Sequence, residues 1–282
     1  MADKTIVLTG ATSGIGEASA PRFAATADRL IVHGPEPEES VLRLLRRLSA
    51  AGNADVHYVQ ADFDDLSGVV RLADRVRDLT DRVDVLVNNA GRPGAERRQI
   101  SGNGYEVTLQ TNYLAAVLLT DRLAPLLPPR TGRVVHVASA THLSVTLDLD
   151  DIQSEHGYSP FRAYARSKLA MVGHALWQAD QWGSTGPQIV SISPGVIDTG
   201  LLHAMFAVRG AAPSHGAANV IDASTLPLPH SGAYIDDGRP AQPHPDVLNA
   251  EFRKRLHAVT AGLLSPWEAV ADERPAGRPV GR

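Results

Sequence analysis

Short apolar runs alternate along the chain with longer stretches in which apolar residues recur every three or four positions. The runs at 5–10, 30–33, 56–60, 83–91, 132–139 and 188–195 predict strands. The periodic stretches at 15–27, 40–51, 66–79, 105–126 and 163–181 predict helices. In the second of these, Val41, Leu44, Leu45 and Leu48 share one face. Pro128 and Pro129 stop the fourth, because neither offers an N–H to continue it. Strands separated by helices of this length imply βαβ units, and so a parallel sheet with right-handed crossovers and helices on both faces. The strands are almost continuously apolar, as burial on both faces requires. The expected class is therefore α/β, with a doubly wound parallel sheet of about seven strands.

Two regions break the rhythm, at 140–162 and 198–217. Both follow strands, where insertions in an open sheet overhang the ligand crevice. They are expected to form a small lid, with 143–157 and 201–213 covering a substrate and carrying Asp150, Asp151 and Arg209. No linker divides the chain. One domain over 1–265 is expected, followed by a flexible tail over 266–282, rich in Pro, Gly, Arg and Glu.

Composition narrows the chemistry. The chain has no cysteine, which excludes a disulfide framework, a thiolate–zinc site and a cysteine nucleophile. Its net charge of −4 offers no basic excess for nucleic acid. No apolar run approaches the ~20 residues of a membrane span. Residues 1–4 lead straight into a strand, leaving no room for a signal peptide, so a cytoplasmic location is expected. The histidines lack metal-ligand spacing and no metal is expected, although His142, three past Ser139, is placed to touch substrate.

The first crossover reads TIVLTGATSGIG. A glycine-rich turn between a strand and a helix N-terminus is a phosphate cradle: without Cβ atoms the backbone approaches the anion, and the helix dipole favours negative charge. Gly10, Gly14 and Gly16 are spaced for this. As a bare turn it would need no ligand. Asp62, after the third strand, can accept from an adenine amino group or cap the next helix. Asn88-Asn89-Ala90-Gly91 close the fourth strand, where Asn side chains can tie neighbouring strand ends together and the small Ala-Gly pair lets a ribose pass; in isolation the motif is an ordinary turn.

Tyr164 and Lys168 stand four apart in YARSK, on one helical face. A phenol ionises near pH ~10, and a neighbouring ammonium lowers that value. The pair can move a proton to or from an alcohol oxygen, or it can be a surface i, i+4 pair. Ser139 ends the fifth strand, where it can hold a substrate oxygen or simply turn the chain. Asn112 lies inside a predicted helix, where Asn is unfavourable. It can bind a water that links Lys168 to solvent, or cap a kink.

In this order, TGATSGIG, NNAG, an intrahelical Asn, a strand-end Ser, YxxxK and SPGVIDTG resemble the short-chain dehydrogenase/reductase family over residues 4–265. The resemblance implies a Rossmann-type domain and a catalytic tetrad of Asn112, Ser139, Tyr164 and Lys168. Tyr164 would be the acid–base and Ser139 would orient the substrate oxygen. Lys168 would lower the Tyr164 pKa and bind ribose, and Asn112 would complete a proton relay. It also implies cofactor contacts at Gly10, Thr12, Ser13, Gly14, Ile15 and Gly16, then at Gly34, Pro35, Asp62 and Phe63. Asn89, Ala90 and Gly91 belong to the same set, as do Tyr164 and Lys168, and Pro194, Gly195, Val196 and Thr199 at the nicotinamide end. The opening glycines would make room for a dinucleotide pyrophosphate.

The stretches 148–170 and 231–256 are similar to the retinol-dehydrogenase-like branch, whose substrates are bulky carbonyls or alcohols. The resemblance implies a small-molecule ketone or secondary alcohol as substrate. It also implies a homodimer or homotetramer paired through the Tyr164 helix, with Leu169, Val172 and Leu176 interfacial, and Trp177 and Trp182 in packing or subunit contacts. In IVHGPEPEE the pattern departs from the branch. Gly34 takes the acidic position and leaves space for a 2′-phosphate, while Pro35 replaces the cation that would clamp it. Glu36, Glu38 and Glu39 would oppose a phosphate, and Arg43 or His33 could help it. NAD(H) and NADP(H) are both admitted, with a slight lean to NADP(H). The alternative to an enzyme is a dinucleotide-binding sensor or scaffold on the same fold.

Overall fold

The computed structural model describes residues 3–268. Its strands are β1 (Thr5–Leu8), β2 (Arg29–Gly34), β3 (Asp55–Gln60), β4 (Val85–Asn88), β5 (Arg133–Val137), β6 (Gln188–Ser193), β7 (Ala233–Asp236) and β8 (Arg239–Ala241). They form one sheet in the order β3-β2-β1-β4-β5-β6-β7-β8, parallel except for β8. The strand order reverses between β1 and β4, which opens a crevice at their carboxyl ends. This is the doubly wound architecture expected, with β8 added. Asp237 and Gly238, both at positive φ, make the two-residue turn into β8.

One face of the sheet packs on α1 (Gly14–Ala24), α2 (Glu38–Ala51) and α8 (Pro213–Thr225). The other packs on α3 (Leu66–Leu79), α5 (Ala115–Leu123), α6 (Pro160–Trp182), the short α9 (Pro245–Leu248) and α10 (Ala250–Glu268). The predicted helix over 105–126 is broken. Glu106 caps α4 (Val107–Leu109), a π turn follows over Gln110–Leu114, and α5 resumes at Ala115. The wide turn contains Asn112, whose side chain is engaged elsewhere.

Helix α10 lies over α6, α3 and α5. It buries Leu256 and Leu264, joins Thr260 to the Tyr113 hydroxyl at 2.6 Å, and stacks His257 on Trp177 at 3.4 Å. Leu169 and Val172, expected at a subunit interface, are thus buried within the single chain, and Leu176 is half-buried against Gly232. Of the tail expected over 266–282, residues 266–268 belong to α10, which carries Pro266 and ends at Glu268. The remainder of the tail, 269–282, lies outside the described residues.

Gly16 explains how α1 reaches the sheet. A Cβ there would run into the Gly10 carbonyl and stand 2.6 Å from Asn89 Nδ2. Packing of α1 on the β1 end is therefore enough to require a glycine at position 16. In an open helix, Gly→Ala stabilises by about 1 kcal/mol. Gly16→Ala is expected to destabilise by about 1–3 kcal/mol, the cost of overpacking. A lowered denaturation midpoint with an unchanged m-value is the readout, and a raised midpoint would refute this packing.

Candidate active site

The crevice is built from the ends of β1 and β4. Thr9 Oγ1 donates to Val87 O at 3.2 Å and accepts from the Asn89 and Ala90 N–H groups, each at 3.0 Å. Asn89 Nδ2 donates to Thr9 O and Gly10 O at 2.9 and 3.0 Å. The two strand ends are thereby locked together. Thr9 was not among the predicted site residues, although it sits beside Gly10 in the motif.

Gly10 has φ +63° and Gly14 φ +54°, conformations that cost an L side chain energy. A Cβ on Gly10 would lie 2.7 Å from Ala90 Cα, so that glycine serves the β1–β4 approach. Gly14 opens α1, with Ser13 as an N-cap that makes no side-chain capping bond. Gly10, Ser13, Gly14 and Ile15 line a cavity of about 680 Å³. Asn89, Ala90 and Gly91 line it from β4, and Pro194, Gly195, Val196 and Thr199 from beyond β6. Asp237 Oδ1 accepts from Asn219 at 2.9 Å, while Asn219 also donates to Pro194 O at 3.1 Å, which props the Pro194–Gly195 bend. Thr199 caps α7 (Gly200–Met205).

Ser139, Tyr164 and Lys168 face the same cavity. Helix α6 begins with Ser159 as its N-cap and Pro160 as its first residue, and this sets the two side chains one turn apart over the β5 end. Lys168 Nζ donates to Val137 O at 2.8 Å and stands 5.6 Å from the Tyr164 ring centre. Burial pushes the Tyr164 phenol up to about 12, opposed by a hydrogen bond with Ser139. Burial also draws the Lys168 ammonium down to about 8. In the free chain desolvation outweighs the expected lowering of the phenol by Lys168. At neutral pH the phenol keeps its proton and the lysine most of its charge.

Asn112 Oδ1 accepts from the Arg92 N–H at 2.8 Å, and Nδ2 donates to Arg92 O and Ser167 Oγ at 3.0 and 3.1 Å. Both of its amide hydrogens are thus occupied, so the side chain braces the turn after β4 rather than entering the cavity. His142 likewise stays out of the cavity. It is buried, bonded through Nδ1 to Ser139 O at 2.8 Å and accepting at Nε2 from the His244 N–H at 3.3 Å. Asp150 pairs with Arg255 of α10, and Asp151 accepts from the Glu155 and His156 N–H groups. Only Ala140 and Thr141 of the first insertion line the cavity. The second supplies Leu201, Leu202, Phe206 and Val208. Phe206 meets Phe161 edge-on at 6.0 Å, which joins the two insertions at the mouth.

The residues expected at the adenine end do not line this cavity. Phe63 is buried against His33, ring centres 4.3 Å apart. His33 accepts from the Gly10 N–H at 3.2 Å and bonds Ala61 O at 2.9 Å, and burial lowers its pKa to about 4. It is neutral and committed, so it does not clamp a phosphate. Asp62 Oδ1 accepts from the Asp64 N–H at 2.9 Å. Thr12 and Glu36 fill the space expected beside Gly34: a Cβ there would collide with Thr12 Cγ2 and lie 2.7 Å from Glu36 Oε2. Pro35 is exposed next to them.

Residues 4–209 match the short chain dehydrogenase family. The chain belongs to that family. It is similar to polyprenol dehydrogenase from Mus musculus, 32% identical over 277 residues that cover 90% of this chain and 82% of the relative. Among solved structures it resembles an uncharacterized protein from Mycobacterium paratuberculosis, with a TM-score of 0.76, 26% identity and 93% of each chain covered. It also resembles the RhlG/NADP complex of Pseudomonas aeruginosa, with a TM-score of 0.66, 25% identity, and 83% of this chain and 95% of that one covered. This short-chain dehydrogenase is accordingly an oxidoreductase built on an NAD(P)-binding fold. Among its described residues no helix is long and apolar enough to cross a membrane.

Proposed function

We propose that this short-chain dehydrogenase interconverts a ketone and a secondary alcohol, with Tyr164 as the general acid and base. The observation that carries this reading is the convergence of Ser139, Tyr164 and Lys168 on the cavity that Gly14 opens toward the α1 N-terminus. A Cβ on Gly14 would touch Thr199 Cγ2 at 3.3 Å, so the glycine leaves room between the α1 N-terminus and the loop after β6. The helix dipole and the free N–H groups there suit a pyrophosphate. NAD(H) or NADP(H) bound there supplies or accepts the hydride. The NADP complex of the Pseudomonas relative supports the slight lean to NADP(H).

The chain's own task is the proton. In reduction the Tyr164 phenol protonates the developing alkoxide, while the Ser139 hydroxyl holds the same oxygen. The Lys168 ammonium favours the phenolate left behind. In oxidation Tyr164 must first lose its proton, so alcohol oxidation should quicken as pH rises and ketone reduction should not. Asn112 holds the turn at Arg92 that brings Gly91 to the cavity.

The cavity wall of Ile197, Leu201, Leu202, Phe206 and Val208 suits an apolar substrate body. Its charged lining consists of Lys168, Asp236 and Asp237, which disfavours an anionic substrate. The name of the mouse relative, a polyprenol dehydrogenase, points the same way. A homodimer or homotetramer would have to form away from Leu169 and Val172, which are buried within the single chain. The test is a panel of neutral apolar ketones and secondary alcohols, followed by the absorbance of the reduced nicotinamide. Turnover should favour apolar over carboxylated substrates; a preference for carboxylated ones would contradict the assignment.

A further inference from the structure

Three residues at positive φ meet beyond the carboxyl ends of β6 and β7: Gly195 at +91°, Asp237 at +45° and Gly238 at +78°. Of the three only Asp237 carries a side chain, in a conformation that costs an L residue energy. Its N–H donates to Ser193 O at 2.9 Å, and its Oδ1 lies 2.9 Å from where a Cβ on Gly195 would stand. The same Oδ1 accepts from His215 Nε2 at 2.6 Å and from Asn219 Nδ2 at 2.9 Å. A carboxylate only accepts, so this His215 nitrogen carries its proton. His215 and Asn219 stand four apart near the start of α8, and one helical face presents both donors. Asn219 Nδ2 also donates to Pro194 O at 3.1 Å. Between them, Gly216 lets the same turn approach α1 and the loop after β6: a Cβ there would stand 3.0 Å from Ile15 Cγ1 and from Ile197 Cγ1.

The His215–Asp237 pair is half-exposed, and a pair so exposed adds little to stability. Its place in the fold gives it a different use. Ile15 stands at the α1 N-terminus, which suits the pyrophosphate, and Pro194 and Gly195 form the wall expected at the nicotinamide end. The first turns of α8 touch both. Resting on the dinucleotide reading above, we infer that His215 and Asp237 are positioning residues for hydride transfer: their bond fixes the Pro194–Gly195 bend relative to the α1 N-terminus, and so sets where a nicotinamide ring can lie against the substrate carbon. Neither side chain gives or takes a proton in the reaction. The donors His215 and Asn219 hold the Asp237 carboxyl below its ordinary range, so the acceptor persists at neutral pH. A misplacement of about 1 Å at a reacting centre can cost about 10²-fold in rate, so a small slackening of this bend is enough to be felt.

The test compares wild type with Asp237→Gly, Asp237→Asn, His215→Ala and His215→Gln. Glycine adopts the backbone angle of Asp237 without strain, Asn keeps an oxygen for both donors, and Gln offers an N–H near the place of Nε2. The first readout is amide exchange in the free protein. The Asp198 N–H donates to Ala211 O and the Ala211 N–H to Val196 O, each at 2.8 Å, and both report on this loop. In Asp237→Gly and His215→Ala they are expected to exchange about tenfold faster, while the amides of β1, β4 and β5 keep their wild-type rates. The second readout is kinetic: kcat should fall about tenfold or more in these two variants, with the dinucleotide Kd within about threefold of wild type. Asp237→Asn and His215→Gln should restore both the loop exchange and kcat to within about threefold of wild type. A kcat within about twofold of wild type in both Asp237→Gly and His215→Ala overturns the inference and leaves the proposed function intact. Faster exchange throughout the sheet overturns it too, because the pair would then be structural only. Binding of neither dinucleotide by the wild type overturns the dinucleotide reading and this inference with it.

Discussion

Replacing Tyr164 with Phe is expected to lower turnover by about 10²–10⁴-fold, the range that a positioned general acid or base contributes. The substitution removes one oxygen and keeps the ring, so the wall beside Val137 and Lys168 stays filled. The Ser139 hydroxyl loses its phenol partner but keeps Thr141, whose N–H and Oγ1 lie 3.3 and 3.0 Å away. Cofactor affinity should change little, because the Gly14 cradle and the Pro194–Thr199 wall are untouched. The loss should therefore fall on kcat, with the Kd for NADH or NADPH preserved. Full activity in the variant would show that another group moves the proton. Loss of cofactor binding along with activity would mean that the phenol holds the dinucleotide.

Acid should destabilise this protein steeply, and the cause lies in three buried histidines. Burial lowers the pKa of His33 to about 4 and those of His136 and His174 to about 3, from an ordinary 6.5. Neighbouring groups add to the shift, Lys168 at His136, and His257 and His136 at His174. A histidine whose folded pKa is depressed contributes its full stability above the unfolded value and loses it as pH falls below. Between pH 6.5 and about 4 the unfolded chain takes up protons at all three sites and the folded chain refuses them. Each site then costs about 1.4 kcal/mol per pH unit, or about 4 kcal/mol for the three on moving one unit below 6.5. Against a typical domain stability of about 5–15 kcal/mol, that is a large fraction. Urea midpoints measured from pH 8 down to about 5 should be flat above neutrality and fall below pH ~6.5. A flat midpoint through pH 5 would mean that these rings reach water.

Buried histidines also show where sequence reading stops. A histidine at a strand end looks like a ligand or a substrate contact until its bonds are seen. His33 joins β1 to the β3 end, and His142 joins the Ser139 turn to His244, 102 residues on. Periodicity exposed the six strands and the main helices because both depend on which face of a local element is apolar. Contacts remote in sequence do not leave such a trace. Gly16 reads as a cradle glycine from its spacing, yet its constraint is the carbonyl of Gly10, met only once α1 folds back on β1. Asn112 looked misplaced in a helix, and the anomaly was informative: the π turn and the bonds to Arg92 are its cause. The seal of α10 over α6 was not legible, since the resemblance over 231–256 names no packing partner and α6 begins some ninety residues earlier. Tyr164, Lys168 and Ser139 were legible because their chemistry needs a fixed spacing on one helix and one strand end. Their strand and helix, once packed, deliver them to the cavity.

The measurement that tests the central claim most directly is cofactor oxidation by wild type and Tyr164→Phe side by side, with NADH and NADPH, against neutral apolar ketones, after binding of each dinucleotide has been established. The account predicts that both proteins bind the same dinucleotide, that wild type forms alcohol in step with cofactor consumed, and that the variant forms almost none. Equal turnover by the two proteins would contradict the role given to Tyr164. Binding without turnover of any ketone or alcohol by the wild type would contradict the proposed reaction and leave a dinucleotide sensor in its place.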